Sequence, residues 1–357
     1  MPDVIAISES AIEQAADRLR AGAIVALPTE AGYEAAAAAL HPEAVEELRA
    51  LVGAEEHLAI GLAQATELFD WLPHARGAAV RLARTFWPGP LVLVSSAGAT
   101  RGLARRLPVE VQAAVVRGGA LALRLPDQDW TRALRAALVL APLPGFPQTV
   151  EQIAAGRARL DLIVDGGPST FVRPPTVVRA GQRTAEVLRE GALAAQDVAE
   201  VAAARILFVC TGNTCRSPLA EALCRKLLAD TLAIEPGRLD EHGFRVQSAG
   251  LAAMMGNAAT AEAAVIAGEH GADLGRHASQ PLNLDLLAQA DRVFAMTASH
   301  QYMLHSLRLE VGPAAQLLSP DGADVDDPIG STEDVYRACA ADILAALRLR
   351  LPELLES

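Results

Sequence analysis

A chain of 357 residues, 51% of them hydrophobic, is long enough for two domains with separate cores. Its 43 acidic residues against 31 basic ones leave a formal net charge of −12, which argues against broad nonspecific nucleic-acid binding and leaves only a local basic patch open. No stretch approaches about 18 unbroken apolar residues, and the opening MPDVIAISES has neither a basic region nor an apolar core, so neither a membrane span nor a secretory leader is expected.

The first half alternates helical patterns, AIEQAADRLRAG at residues 11–22 and PEAVEELRAL at 42–51, with short β runs. The β runs are AIVALP (23–28), LVLVSS (91–96), ALALRLP (120–126) and LIVDGG (162–167), and together they read as an α/β domain. The alanine-rich run GALAAQDVAEVAAAR (191–205) has few large apolar residues, so the junction belongs there, as a short helix rather than a flexible tether. The expected division is a first domain over 1–195, a linker at 196–204 and a second domain over 205–357.

Past the junction, FVCTGNTCRSPLAEALC (208–224) reads as strand, tight loop and helix. Ile206 to Val209 is apolar enough for a buried strand, Ser217 is a candidate cap, and Pro218 suits the first helical position. Such a loop aims backbone N–H groups and the positive end of a helix dipole at one point, which makes it an anion site. Cys210 would lie at its base, held as a nucleophilic thiolate by the same amides and by Arg216. The planar fork of Arg216 can grip two oxygens of a phosphoryl group. This is chemistry for phosphoryl transfer to sulfur.

Two plainer readings compete. Cys210 and Cys215 are spaced as half a zinc site, but zinc needs four ligands, and Cys224 and Cys339 stand alone on expected helices; no metal is expected. Buried inert cysteines are the other reading, since free cysteine often serves as a small apolar residue. A thiolate mechanism also needs a proton donor, and GADVDDPIGS (322–331) offers Asp327, whose backbone the following Pro328 restricts. Asp324 and Asp326 are alternatives. Four cysteines, two of them needed reduced, suit a cytoplasmic setting, and the eight histidines, which form no metal-spaced cluster, read as surface or helix-end residues.

Residues 205–357 resemble the low-molecular-weight protein tyrosine phosphatase family. The resemblance rests on VCTGNTCRSPLAEA (209–222), QSAG (247–250), RHASQPL (276–282), ADRVFAMT (290–297) and DVDDPIGS (324–331), in that order and spacing. It implies a four-stranded parallel sheet flanked by helices, no cofactor, and a phosphorylated protein or peptide as substrate. It also implies Cys210 as nucleophile through a phosphocysteine intermediate, Arg216 as transition-state clamp and Asp327 as general acid. Thr211, Gly212, Asn213, Thr214, Cys215 and Ser217 would form the substrate-binding loop, Asn213 and Ser217 supporting its shape and the thiolate. Cys215 matches a second cysteine that can form a reversible disulfide with the nucleophile. Arsenate reductases on this scaffold need further downstream cysteines, and none lies between Cys224 and Cys339. Threonine at 214, where phosphotyrosine enzymes carry a bulky aliphatic residue, is most similar to the protein arginine phosphatases. Ile329, where a stacking aromatic would stand, departs from the pattern.

The first half resembles the YrdC-like threonylcarbamoyl-adenylate synthases, which use threonine, bicarbonate and ATP, through GAIVALPTE (22–30), FWPGPLVLV (86–94), LALRLPD (121–127), DGGPST (165–170) and TVV (176–178). This implies a twisted mixed sheet. The family's phosphate-gripping lysine and arginine cluster would fall in LRALVGAEEHLAIGL (48–62), which lacks lysine and carries Glu55 and Glu56. The later loop expected at LVLAPLPGF (138–146) has no Ser-x-Asn signature. The expectation is a synthase fold without its synthase site; the alternative is a bifunctional protein that retains synthase or RNA-binding activity there.

Overall fold

The computed structural model describes residues 2–134, 137–155, 159–307 and 314–356. The chain divides into two compact units, Met1–Ala202 and Ala203–Ser357.

In the first unit the described strands form one eleven-stranded mixed sheet. The expected β runs lie in it as Val25–Thr29, Leu91–Ser95, Ala120–Arg124 and Leu162–Asp165, and the expected helices as Glu9–Arg20 and Pro42–Val52. Ser8 caps the first helix by accepting the Ala11 N–H at 3.1 Å. Among the strands outside those runs, two depart furthest from the sequence reading. Gly32–Ala38 (GYEAAAA) is alanine-rich, a composition that favours helix in isolation, yet it is wholly buried as a strand between Val25–Thr29 and Leu138–Pro142. Its hairpin with Val25–Thr29 turns through Gly32 at φ +104°, which suits glycine. Leu138–Pro142, expected within a loop, is a buried strand with partners on both edges, so only the part from Leu143 onward is a loop. The alanine-rich junction contains the helix Ala195–Ala202, with Val198 and Ala202 buried.

The second unit holds a four-stranded parallel sheet in the order Phe244–Gly250, Ala204–Cys210, Arg292–Ala295, Gln316–Leu317. Ala204–Cys210 is nearly all buried because both edges and both faces are covered. The chain leaves this strand, pairs first on one side through Phe244–Gly250 and later on the other through Arg292–Ala295. Such a reversal opens a crevice at the carboxyl end of the central strand, which is where Cys210 lies. The helix Arg216–Leu232 closes the crevice from one face, with Leu219, Leu223 and Leu228 in the core beside Phe208 and Phe244.

Candidate active site

The loop 211–215 joins Ala204–Cys210 to Arg216–Leu232. The helix starts two residues earlier than the sequence suggests. Cys215, not Ser217, is its N-cap, and Ser217 sits in the first turn with its hydroxyl 3.0 Å from Cys210 Sγ. Pro218 shares that turn, where a missing N–H leaves no helical hydrogen bond unmade.

Asn213 holds the loop in shape. It is fully buried at φ 55°, a conformation asparagine tolerates better than most residues, and its own N–H donates to Cys210 Sγ at 3.2 Å. Its side-chain amide donates to Ser217 Oγ at 3.0 Å and to Ser248 Oγ at 2.9 Å, and its Oδ1 accepts the Gln280 N–H at 2.9 Å. Its carbonyl lies 2.8 Å from His277 Nε2, which must donate there. Gly250 leaves room for this arrangement: a Cβ there would come within 2.6 Å of the Thr211 carbonyl and 2.9 Å of Asn213 N. Every polar group of Asn213 is therefore matched, as a buried amide requires.

Arg216 is buried, and its guanidinium donates to the Val325 carbonyl at 3.3 Å and to Asp327 Oδ2. The Asp327 side chain is 43% exposed, so the carboxylate stands at the mouth of the crevice and the guanidinium inside it. Of the other carboxylates in that loop, Asp324 is occupied with the Ala298 N–H at 2.7 Å. Thr214 is half-buried, and its carbonyl accepts the Thr260 N–H at 2.9 Å. Cys215 is buried and accepts a hydrogen bond from the Tyr336 hydroxyl at 3.4 Å; burial pushes that phenol up to about 12. Gly212 faces little, with only Thr214 Oγ1 near a Cβ built on it.

The structure thus brings Cys210, Asn213, Ser217, Arg216 and Asp327 together. Cys224 and Cys339 lie in helices and are buried, and burial pushes both thiols up, Cys339 to about 12, which leaves them unreactive. One histidine is not a surface residue. His300 is 4% exposed, with Nε2 2.8 Å from Thr211 Oγ1 and Nδ1 2.9 Å from Thr297 Oγ1. Burial, and then the Arg216 guanidinium, hold its ring below the usual histidine range. His300, His277, Ser248 and Gln280 gained no role from sequence. Three of them lie in QSAG and RHASQPL, while nothing around His300 in sequence signals its contact with the loop.

The sequence model described as "Low molecular weight phosphotyrosine protein phosphatase" matches residues 205–356, and one described as "Telomere recombination", covering the Sua5, YciO and YrdC proteins, matches 17–191. The chain is 38% identical to a protein-arginine-phosphatase of Geobacillus stearothermophilus, over 43% of this chain and 97% of that protein. It is 34% identical to a protein-arginine-phosphatase of Bacillus subtilis, over 40% of this chain and 91% of that one. The low molecular weight protein-tyrosine-phosphatase Etp of Escherichia coli K12 is 32% identical, over 37% of this chain and 81% of Etp. A solved arginine phosphatase from Geobacillus stearothermophilus aligns at 34% identity with a TM-score of 0.36, over 43% of this chain and 93% of that one. Through these relatives, spanned over most of their length, the chain belongs to the low molecular weight phosphotyrosine protein phosphatase family of enzymes.

Proposed function

We propose that residues 205–357 are a cysteine-dependent protein phosphatase, with phosphoarginine the favoured substrate and phosphotyrosine a further one. Cys210 Sγ attacks phosphorus, forming an S–P bond as the P–N or P–O bond to the substrate breaks; Asp327 gives its proton to the leaving group. Arg216 releases Asp327 and takes two phosphoryl oxygens, while the N–H groups of the loop 211–216 take the rest of the charge. Water then attacks the phosphocysteine, Asp327 accepts the proton, and phosphate departs. The observation that carries this reading is Cys210 Sγ in contact with both the Asn213 N–H and the Ser217 hydroxyl, beside the Arg216 and Asp327 pair.

The preference for phosphoarginine is supported by Thr214, a slim hydroxyl-bearing residue, and by relatives named as arginine phosphatases. Matched phosphoarginine and phosphotyrosine peptides, compared by kcat/KM, test it. Free cysteines at all four positions suit a reducing compartment, the cytoplasm. Among the described residues, no helix is long and apolar enough to cross a membrane.

For the first domain, which we take to end at the junction 196–204, we propose a non-catalytic role and no nucleic-acid partner. Two of its arginines are committed internally. Arg124 donates to Glu30 at 2.7 Å and Glu34 at 3.1 Å, all three buried, and Arg189 donates to Glu56 at 2.6 Å. Cations so paired cannot also grip a triphosphate without exposing buried carboxylates. Calorimetric titration of the full chain with ATP and threonine tests this; saturable ATP binding would favour a bifunctional enzyme.

A further inference from the structure

A cavity of about 440 Å³ opens among the helix Arg216–Leu232, the turn Pro236–Arg238 and the loop 271–277. Its charged lining is Glu221, Arg225, Lys226, Asp273, Arg276 and His277. Three fixed positive charges in one cavity run against a chain whose net charge is −12. Two carboxylates share the lining: burial pushes the Glu221 carboxyl up, and Asp273 accepts the Gly275 N–H at 2.7 Å, so the three cations outnumber them. Among the described residues Lys226 pairs with one carboxylate, Asp230 on its own helix. Arg276 is exposed and has neither a hydrogen bond nor an ion pair with any described residue. Gly237 and Gly271 also line it, and a Cβ at Gly237 would meet nothing within 4 Å, so the cavity stays open there.

Two lining residues also grip the phosphate loop. His277 donates to the Asn213 carbonyl at 2.8 Å, and Glu221 accepts the Ser248 hydroxyl at 2.6 Å, whose oxygen accepts the Asn213 amide at 2.9 Å. Asn213 in turn donates to Cys210 Sγ. We propose that this cavity is a second oxyanion site, one that takes a phosphate or sulfate group on Arg225, Lys226 and Arg276, and that its occupancy is felt at Asn213. A bidentate guanidinium and a neighbouring ammonium are the donors such a group selects. Coupling of this kind is reciprocal, so an anion in the loop changes the affinity of the cavity by the same factor.

Site-resolved amide spectra of the ¹⁵N-labelled full chain, titrated with inorganic phosphate and separately with sulfate, test both parts. The Gly237, Gly271 and Asp273 resonances should move and saturate, and Asn213 should respond in two phases. In Arg276→Glu, whose side chain holds no partner that folding needs, the cavity resonances should stay still. Asn213 should keep the single phase due to the loop. Unmoved Gly237 and Gly271 resonances in the wild type, or equal movement in Arg276→Glu, would overturn the site. A single phase at Asn213 in the wild type would overturn the coupling. The spectra need no turnover, so this result and the phosphatase reading stand or fall separately.

Discussion

Cys210 Sγ and Ser217 Oγ lie 3.0 Å apart, and Ser217 Oγ also receives the Asn213 amide. The hydroxyl proton then has two acceptors in reach, the Ala249 carbonyl at 3.3 Å and the sulfur, and turned to sulfur it stabilises a thiolate. Ser217→Ala should slow alkylation of Cys210 by iodoacetate at neutral pH and lower kcat. A hydrogen bond to a charged group is worth about 1.5–3 kcal/mol, or roughly 10–100-fold. Unchanged alkylation would remove Ser217 from the thiolate's support.

Asp327→Asn removes the proposed proton donor and weakens the pairing with Arg216. Turnover of a poor leaving group such as an alkyl phosphate should fall by about 10²–10⁴, and that of p-nitrophenyl phosphate by much less, because the nitrophenolate departs without a proton. An equal loss for both substrates would argue for a structural role. Asp324→Asn should not reproduce the pattern, its carboxylate being held by the Ala298 N–H.

His300 sets a pH dependence of stability. Burial and Arg216 oppose its protonation in the folded chain, and together they outweigh the attraction of Asp327 and Asp324. Below about pH 6.5 the unfolded chain therefore takes up a proton that the folded chain refuses, and stability falls as pH drops through the histidine range. Exchange protection in Ala204–Cys210, corrected for intrinsic rates, should decline from pH 7.5 to 5.5 in the wild type and less in His300→Asn. The same decline in both proteins would assign the effect elsewhere.

Thr214→Ile replaces a hydroxyl by apolar surface beside the phosphate loop. The ratio of kcat/KM values should shift from phosphoarginine toward phosphotyrosine by roughly 10–200-fold, the range one pocket group usually supplies. A ratio that does not move would show that another residue selects the substrate.

How much of this was legible varies with the physics involved. The loop from Cys210 to Arg216 could be read because its chemistry is local, with nucleophile, amides and guanidinium adjacent in sequence. Asp327 was legible through Pro328 and the resemblance, but its contact with Arg216 depends on tertiary folding across 111 residues. His300 was not legible, since a histidine near a helix start is most often solvated, and only the parallel pairing of Ala204–Cys210 with Arg292–Ala295 brings it to Thr211. In the first unit, Gly32–Ala38 was missed because its alanines carry no strand preference; two flanking strands impose one.

In the proposed mechanism phosphorus passes through sulfur at Cys210. Turnover of a phosphoarginine peptide, quenched with denaturant at neutral pH and analysed by peptide mass, should show one phosphoryl group on the peptide that contains Cys210, with neither the mark nor turnover in Cys210→Ala. An unmodified Cys210 peptide during steady turnover, or turnover that survives Cys210→Ala, would contradict it.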